Sequence, residues 1–230
     1  MGFDVKITTF SGILDLAFPH TCRGCGRLGE VLCECCKNYN IQTAIRICAR
    51  CKKLIKKCNC EVPIIAVAWR EGLMQDLIEE YKYQAIRDTA RVLAEMLDSV
   101  IPKDFLADEV VVVPLPTVSK HIRERGFDHT LKLAKELTKI RKKGAKWRVD
   151  SLLERNKNSV QVGASEKQRK LQAKTAYKLT KVAQKGLDSK RGYLLLDDVY
   201  TTGASIDAAI SLMKKAGAKK LAAVVVVVSR

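Results

Sequence analysis

Apolar positions along this chain follow two rhythms that alternate. Val62–Trp69 alternates and then runs apolar, which predicts a strand. Gly72–Tyr83 and Arg87–Ser99 repeat every 3.6 residues, through Leu73, Leu77, Ile78 and Tyr81, then Ala90, Leu93, Ala94 and Leu97. That spacing predicts two helices. Glu109–Val113 is β-branched and stops at Pro114-Leu-Pro116, so a strand ends there in a loop that runs to Lys120. A helix is predicted around Phe127–Ile140, with the lysines of Leu131–Arg141 facing outward. The closing unit is a strand from Tyr193, a helix over Ser205–Ala216 stopped by Gly217, and a strand over Leu221–Ser229. Strand, helix and strand in that order make a βαβ crossover. Phe10–Pro19 predicts one more short helix. Strands alternating with helices place the chain in the α/β class, with a parallel sheet flanked by helices.

Between these elements Lys142–Lys190 is long, polar and basic, with few core signals before Ala176–Leu179. Such a segment inside a compact domain is either functional or mobile. At 230 residues the chain has room for one α/β domain and a small appendage. No apolar run reaches the ~18 residues needed to span a membrane. Met1–Asp15 carries Asp4 and Asp15 and lacks an apolar secretory core, so a cytoplasmic location is expected.

All nine cysteines lie between Cys22 and Cys60. They form the pairs Cys22-x2-Cys25, Cys33-x2-Cys36 and Cys48-x2-Cys51, then Cys58-x-Cys60, with Cys35 left over. Two residues between thiolates let one tight turn present both sulfurs to a tetrahedral ion, and four thiolates suit Zn2+. One or two structural zinc ions are expected. Successive pairing gives Cys22/Cys25/Cys33/Cys36 and Cys48/Cys51/Cys58/Cys60. Interleaved pairing, first pair with third and second with fourth, is the alternative the spacing leaves open. No histidine or carboxylate shares the pattern, which argues against an open catalytic metal. These residues mark a zinc-ribbon domain over 1–62 and a second domain over 63–230.

Charge is distributed unevenly. Lys120–Arg191 holds 22 Lys and Arg against 7 Asp and Glu, which is +15 of the formal +17. The cysteine region is nominally +5, and two Zn(Cys)4 centres would bring it to about +1. The positive field therefore belongs to the second domain, where it can attract a polyanion. Part of it is solvated helix face. Phe127, Trp147 and Tyr177 are the aromatic side chains within it that could stack on bases.

The most specific chemistry is in Tyr193-Leu-Leu-Leu-Asp-Asp-Val-Tyr-Thr-Thr-Gly-Ala-Ser205. A strand apolar on both faces belongs inside a parallel sheet, and ligands bind where such strands end. Asp197 and Asp198 at that end can accept hydrogen bonds from a vicinal diol. Thr201, Thr202, Gly203, Ala204 and Ser205 put hydroxyls and backbone N–H groups at a helix N-terminus, which favours phosphate. Diol beside phosphate describes a ribose 5-phosphate. All thirteen positions fit the signature for phosphoribosyl pyrophosphate (PRPP) in type I phosphoribosyltransferases, which the stretch resembles. That resemblance implies a pyrophosphate loop after the preceding parallel strand, with Thr117, Ser119 and Lys120 as its residues, and Mg2+ accompanying PRPP.

A narrower resemblance covers the chain from about Leu14 to Arg230. Lys120-His-Ile-Arg123-Glu-Arg125-Gly-Phe127 is similar to the Arg-x-x-x-Arg-Gly-Phe-Asn-Gln region of the ComF family of competence proteins. Leu152-Leu-Glu-Arg155 with Gln161, Arg169 and Ala176-Tyr177, the triplet Tyr81-Lys82-Tyr83, and the eight-cysteine N-terminus resemble that family as well. Asp128-His129 departs from its Asn-Gln, and Gln172 stands where Asn is usual. The resemblance implies a zinc ribbon joined to a phosphoribosyltransferase-like domain. It further implies PRPP binding and the handling of incoming single-stranded DNA during natural transformation. Arg123, Arg125, Arg155 and Arg169 are the candidates for nucleic-acid contact, and a helicase or other competence protein is a candidate partner for the ribbon. The alternative is a working transferase that moves ribose 5-phosphate from PRPP to a base or small nucleophile. In that reading Asp197 and Asp198 hold the diol, and stabilisation of an oxocarbenium-like state matters more than any nucleophilic side chain.

Overall fold

The structure is a computed structural model that describes residues 20–41, 45–49, 51, 53–54, 62–83, 87–101, 109–141, 146–156 and 175–229. The helix expected at Phe10–Pro19 lies outside them, as do Cys58, Cys60, Gln161, Arg169 and Gln172.

A six-stranded sheet runs in the order β1-β2-β8-β7-β3-β4. Its strands are β1 (Ile45–Cys48), β2 (Pro63–Trp69), β3 (Val110–Pro114), β4 (Trp147–Val149), β7 (Gly192–Tyr200) and β8 (Lys220–Val228). All neighbours pair in parallel except β1, which runs antiparallel to β2 along the sheet edge. The mostly parallel α/β sheet read from the sequence is what the chain forms. β8 sits centrally and is buried from Leu221 to Val228, which explains its unbroken apolar run.

Period-two alternation sorts side chains between two cores. On one face Val110, Val112, Leu194, Leu196, Val224 and Val226 meet helices α2 (Gly72–Tyr83), α3 (Arg87–Val100) and α5 (His129–Arg141), through Leu77, Ile78, Leu93, Leu97, Leu133 and Leu137. On the other, Val111, Val113, Leu195 and Val225 meet Ile206, Ala209, Ile210 and Met213 of helix α7 (Ala204–Lys215). A small antiparallel pair, β5 (Leu153–Arg155) with β6 (Tyr177–Leu179), leans on this second face through Leu153 and Tyr177. Helix α6 (Lys181–Gln184) follows it, capped by the Thr180 hydroxyl.

Three features depart from the sequence reading. The loop after β3 turns at Ser119 into a helix, α4 (Ser119–Arg125), which buries no residue and so carries no apolar stripe for periodicity to detect. β7 continues past Leu196 to Tyr200, so Asp197 and Asp198 are still in strand conformation. Ile45–Cys48 of the cysteine region belong to the sheet itself, because β1 extends β2 at its edge.

The residues around the first four cysteines pack on the helices. Cys22, Val31, Leu32 and Cys33 join the same core as α2 and α3, beside the short helix α1 (Glu34–Asn40). No helix among the described residues is long and apolar enough to cross a membrane.

Candidate functional site

β3 and β7 are parallel neighbours in register from Val110↔Gly192 to Pro114↔Leu196, and Leu115 N donates to Leu196 O at 2.9 Å. The chain therefore leaves both strands at one sheet edge, side by side. Parallel strands expose unpaired backbone at that edge and build ligand sites there. Asp197 and Asp198 stand at this edge, Asp198 buried and Asp197 half-buried.

Asp198 is held by two neighbours. Its Oδ2 lies 2.7 Å from Lys82 Nζ, at the end of α2, and 3.4 Å from His129 Nε2, at the start of α5. Burial alone would raise its pKa, but the His129 contact and the Lys82 charge outweigh burial and hold the carboxyl below the usual range. Asp197 responds the opposite way. Burial and the adjacent Asp198 charge push its pKa well up, against the Asp198 backbone N–H that donates to its Oδ1 at 2.9 Å. The two adjacent carboxyls are thus pushed in opposite directions, Asp198 toward its ionised form and Asp197 toward its protonated one.

His129 is oriented from behind. Arg125 lies within 3.1 Å of its Nδ1, and Tyr81 donates to its carbonyl at 2.5 Å. A guanidinium can only donate, so Nδ1 accepts and the Nε2 proton faces Asp198. Asp128 caps α5, its Oδ1 accepting from Thr117 Oγ1 (3.0 Å), Thr130 Oγ1 (2.9 Å) and Leu131 N (3.2 Å). Asp and Asn are both strong N-caps, which accounts physically for Asp128 where Asn is usual. Lys82, Tyr81 and His129 escaped assignment in the sequence because they lie 68 or more residues before the Asp pair. The triplet Tyr81-Lys82-Tyr83 was the available signal.

After β7, Thr201 and Thr202 are exposed, Gly203 is buried, and Ala204 and Ser205 are half-buried at the first turn of α7. Gly203 has φ +79, and a Cβ there would come within 2.7 Å of the Tyr200 ring. Only glycine fits both conditions. Gly203 has no side chain to cap α7, and the side-chain contact at its start is weak, Thr202 Oγ1 accepting from Ala204 N at 3.5 Å. Ser205 hydrogen-bonds the buried Tyr177 hydroxyl.

The loop after β3 forms one wall of a cleft of about 480 Å3 lined by Thr117, Ser119, Lys120, Asp128, Glu154 and Arg155. Thr117, Ser119 and Lys120 thus share one concavity. Of these, Thr117 is tied to Asp128, and Lys120 is exposed with Glu124 at 3.7 Å. Thr201–Ser205 do not line this cleft. Among the nucleic-acid candidates, Arg123 is exposed on α4, Arg155 lies over the Tyr177 ring at 5.4 Å, and Arg125 is drawn into the Asp site through His129. The three stacking candidates are not available. Trp147 and Tyr177 are buried, and Phe127 packs against the core.

The cysteines resolve the pairing for the first four. One sulfur each from Cys22, Cys25, Cys33 and Cys36 lies within 4.8 Å of the others, with Cys22–Cys33 at 3.7 Å and Cys25–Cys33 at 3.8 Å. Gly24 is required for this closure, since a Cβ would approach Cys36 Sγ to 2.7 Å. Burial opposes ionisation of Cys22, but backbone N–H groups of Cys33, Cys25 and Gly24 bring its thiol down to about 6. The Cys33 hydrogen bond, burial and the neighbouring sulfurs push Cys36 up to about 12. Four sulfurs this close cannot all ionise without a cation among them, and the set fits a structural Zn2+. Cys51 N donates to Cys48 Sγ at 3.3 Å, a knuckle turn like those of the first four.

No protein-family model matches the chain. The competence protein ComFC of Streptococcus pneumoniae is 27% identical over 219 residues, which cover 93% of this chain and 90% of that one. The chain is similar to ComFC. That similarity runs over nearly the full length of both chains. A solved hypoxanthine phosphoribosyltransferase of Staphylococcus aureus aligns at 10% identity and TM-score 0.38, over 64% of this chain and 69% of that one.

Proposed function

We propose that this chain binds PRPP or ribose 5-phosphate at the edge of β7 and handles single-stranded DNA in the cytoplasm as a ComFC-type competence protein. The run from Asp197 to Ser205 carries the reading: two adjacent carboxyls at the sheet edge whose pKa values are pushed in opposite directions, then a hydroxyl loop opened by Gly203 onto the first turn of α7. Asp197 takes the ribose diol. Thr201, Thr202 and the backbone from Gly203 to Ser205 take the 5-phosphate, favoured by the α7 dipole. Asp198 acts as the anion that fixes Lys82 and His129 around the pocket. Thr117, Ser119 and Lys120 face the pyrophosphate from the adjacent strand. Mg2+ bound with PRPP would neutralise pyrophosphate charge, and Asp197 is the carboxyl open to it.

The chain divides functionally into a zinc ribbon over 1–62, which presents a surface for a helicase or other competence partner, and a PRPP-binding domain over 63–230. Arg123 on exposed α4, with Lys120 and the basic segment that follows, supplies the DNA surface. Fluorescence anisotropy of a labelled single strand tests it. Affinity should fall steeply with added salt and fall again in Arg123→Glu, because each neutralised phosphate releases counterions. Affinity independent of salt contradicts it.

A transferase reading is favoured by one arrangement, the pyrophosphate-side loop and the diol carboxyl on neighbouring strands. A binder of ribose 5-phosphate alone has no need of the first. Pyrophosphate release across a panel of bases, lost in Asp198→Asn, would support catalysis, and silence across the panel would leave binding alone.

A further inference from the structure

Backbone pairing between β3 and β7 ends at Pro114↔Leu196 and the bond from Leu115 N to Leu196 O. Beyond that rung the two chains part. β7 continues beside β8 to Tyr200, while the chain from β3 turns out into the loop that becomes α4. What holds this loop in register with the Asp197–Asp198 edge is then a matter of side chains. The first turn of α5 supplies them. Thr130 Oγ1 lies 2.7 Å from Leu115 O, and Thr117 Oγ1 donates to Asp128 Oδ1 at 3.0 Å. His129, between Asp128 and Thr130, carries the connection across. Its Nδ1 lies 3.4 Å from Thr117 Oγ1 and 3.1 Å from Arg125 of α4, and its Nε2 lies 3.4 Å from Asp198 Oδ2. The residue is 5% exposed, and the Tyr81 ring stands edge-on to its imidazole at 6.4 Å. A side chain this enclosed has little freedom to rotate. Lys82 holds Asp198 from α2.

We infer that His129 is a positioning residue that sets the spacing between the loop after β3 and the carboxyls of β7. The inference rests on the ribose-phosphate reading above and names the residue that makes one site of its two halves. Both ring nitrogens take part, Nδ1 toward Thr117 and Nε2 toward Asp198. PRPP carries its pyrophosphate and its 5-phosphate on one ribose, so it gains fully from both halves when their separation is preset. Ribose 5-phosphate occupies one half and is indifferent to that spacing. Loosening the joint therefore adds an ordering cost to PRPP binding that ribose 5-phosphate does not meet.

The test is isothermal titration of PRPP and of ribose 5-phosphate, each with Mg2+, into the full zinc-loaded chain. An amide side chain can stand in for one ring nitrogen at a time. His129→Asn keeps a polar group near Nδ1 and loses the reach to Asp198. His129→Gln keeps that reach and loses the acceptor at Nδ1. Both variants should bind PRPP about tenfold more weakly, while ribose 5-phosphate stays within about twofold of wild type. PRPP affinity unchanged in either variant overturns the joint. So does a parallel loss for both ligands, which marks an ordinary contact. Thermal unfolding checks each variant; where one fails to fold the other decides, and loss of the fold in both makes His129 structural and overturns the inference. Wild-type protein that fails to bind PRPP or ribose 5-phosphate overturns the ribose-phosphate reading itself, and the joint with it.

Discussion

Lys82 places its ammonium 2.7 Å from Oδ2 of Asp198, joining the end of α2 to the edge of β7. Both side chains are largely enclosed, so the pair is not one of the weak surface contacts. Removing the cation leaves a buried carboxylate next to a second one. Lys82→Met should cost about 3 kcal/mol, and lower Tm by roughly 6–12 °C for a chain of this size. Thermal unfolding followed by circular dichroism measures it.

The two carboxyls have opposite linkage to pH. Asp198 has a depressed pKa in the folded chain, so its stabilisation is present above the unfolded value near ~4 and is lost as pH falls through the folded value. Asp197 has a raised pKa, so its favourable contribution is present below ~4 and is lost as pH rises through the folded value. Asp197→Asn mimics the protonated form. It should be more stable than wild type at pH 8, by on the order of 1 kcal/mol, with the difference vanishing toward pH 4. Denaturant titrations at the two pH values check the sign.

Gly203→Ala meets two obstacles, a left-handed φ of +79 and the Tyr200 ring. The loop should shift at a cost of about 1–3 kcal/mol, and phosphate affinity should fall with it. Titration of ribose 5-phosphate into Gly203→Ala and into Thr201→Ala separates loop conformation from the loss of a single hydroxyl.

The first cysteine cluster is built into the fold. Cys22 and Cys33 sit in the core of α2 and α3, Arg23 donates to Glu80 at 2.8 and 3.2 Å, and Lys37 pairs with Glu95 at 2.8 Å. Cys22→Ser should therefore destabilise the whole chain, not only the ribbon, by about 2–3 kcal/mol and roughly 5–10 °C in Tm. A strong chelator should reproduce the shift in wild type and add little in the variant.

Much of this was legible because it is local. The βαβ unit, the two helices after Trp69 and the Asp-Asp-to-Ser205 run each declare themselves within one window of sequence. The partners of Asp198 do not. Lys82 and His129 reach it from α2 and α5, and apart from the triplet Tyr81-Lys82-Tyr83 their local patterns do not distinguish them from a surface lysine and a helix-start histidine. Helix α4 was hidden for a different reason. With no buried face, Ser119–Arg125 has no apolar period. β1 was missed because four residues among paired cysteines look like ribbon, and their place in the sheet is set by pairing with β2. Burial of Trp147 and Tyr177 likewise depends on the packing of the β4 and β5–β6 strands, which their short sequences do not announce.

Isothermal titration of PRPP with Mg2+ into the zinc-loaded chain tests the central claim most directly. The ribose-phosphate pocket predicts binding of one ligand per chain, weakened about tenfold or more in Asp197→Asn and in Thr202→Ala. Absence of binding to folded wild-type protein, or binding that neither substitution changes, would contradict it.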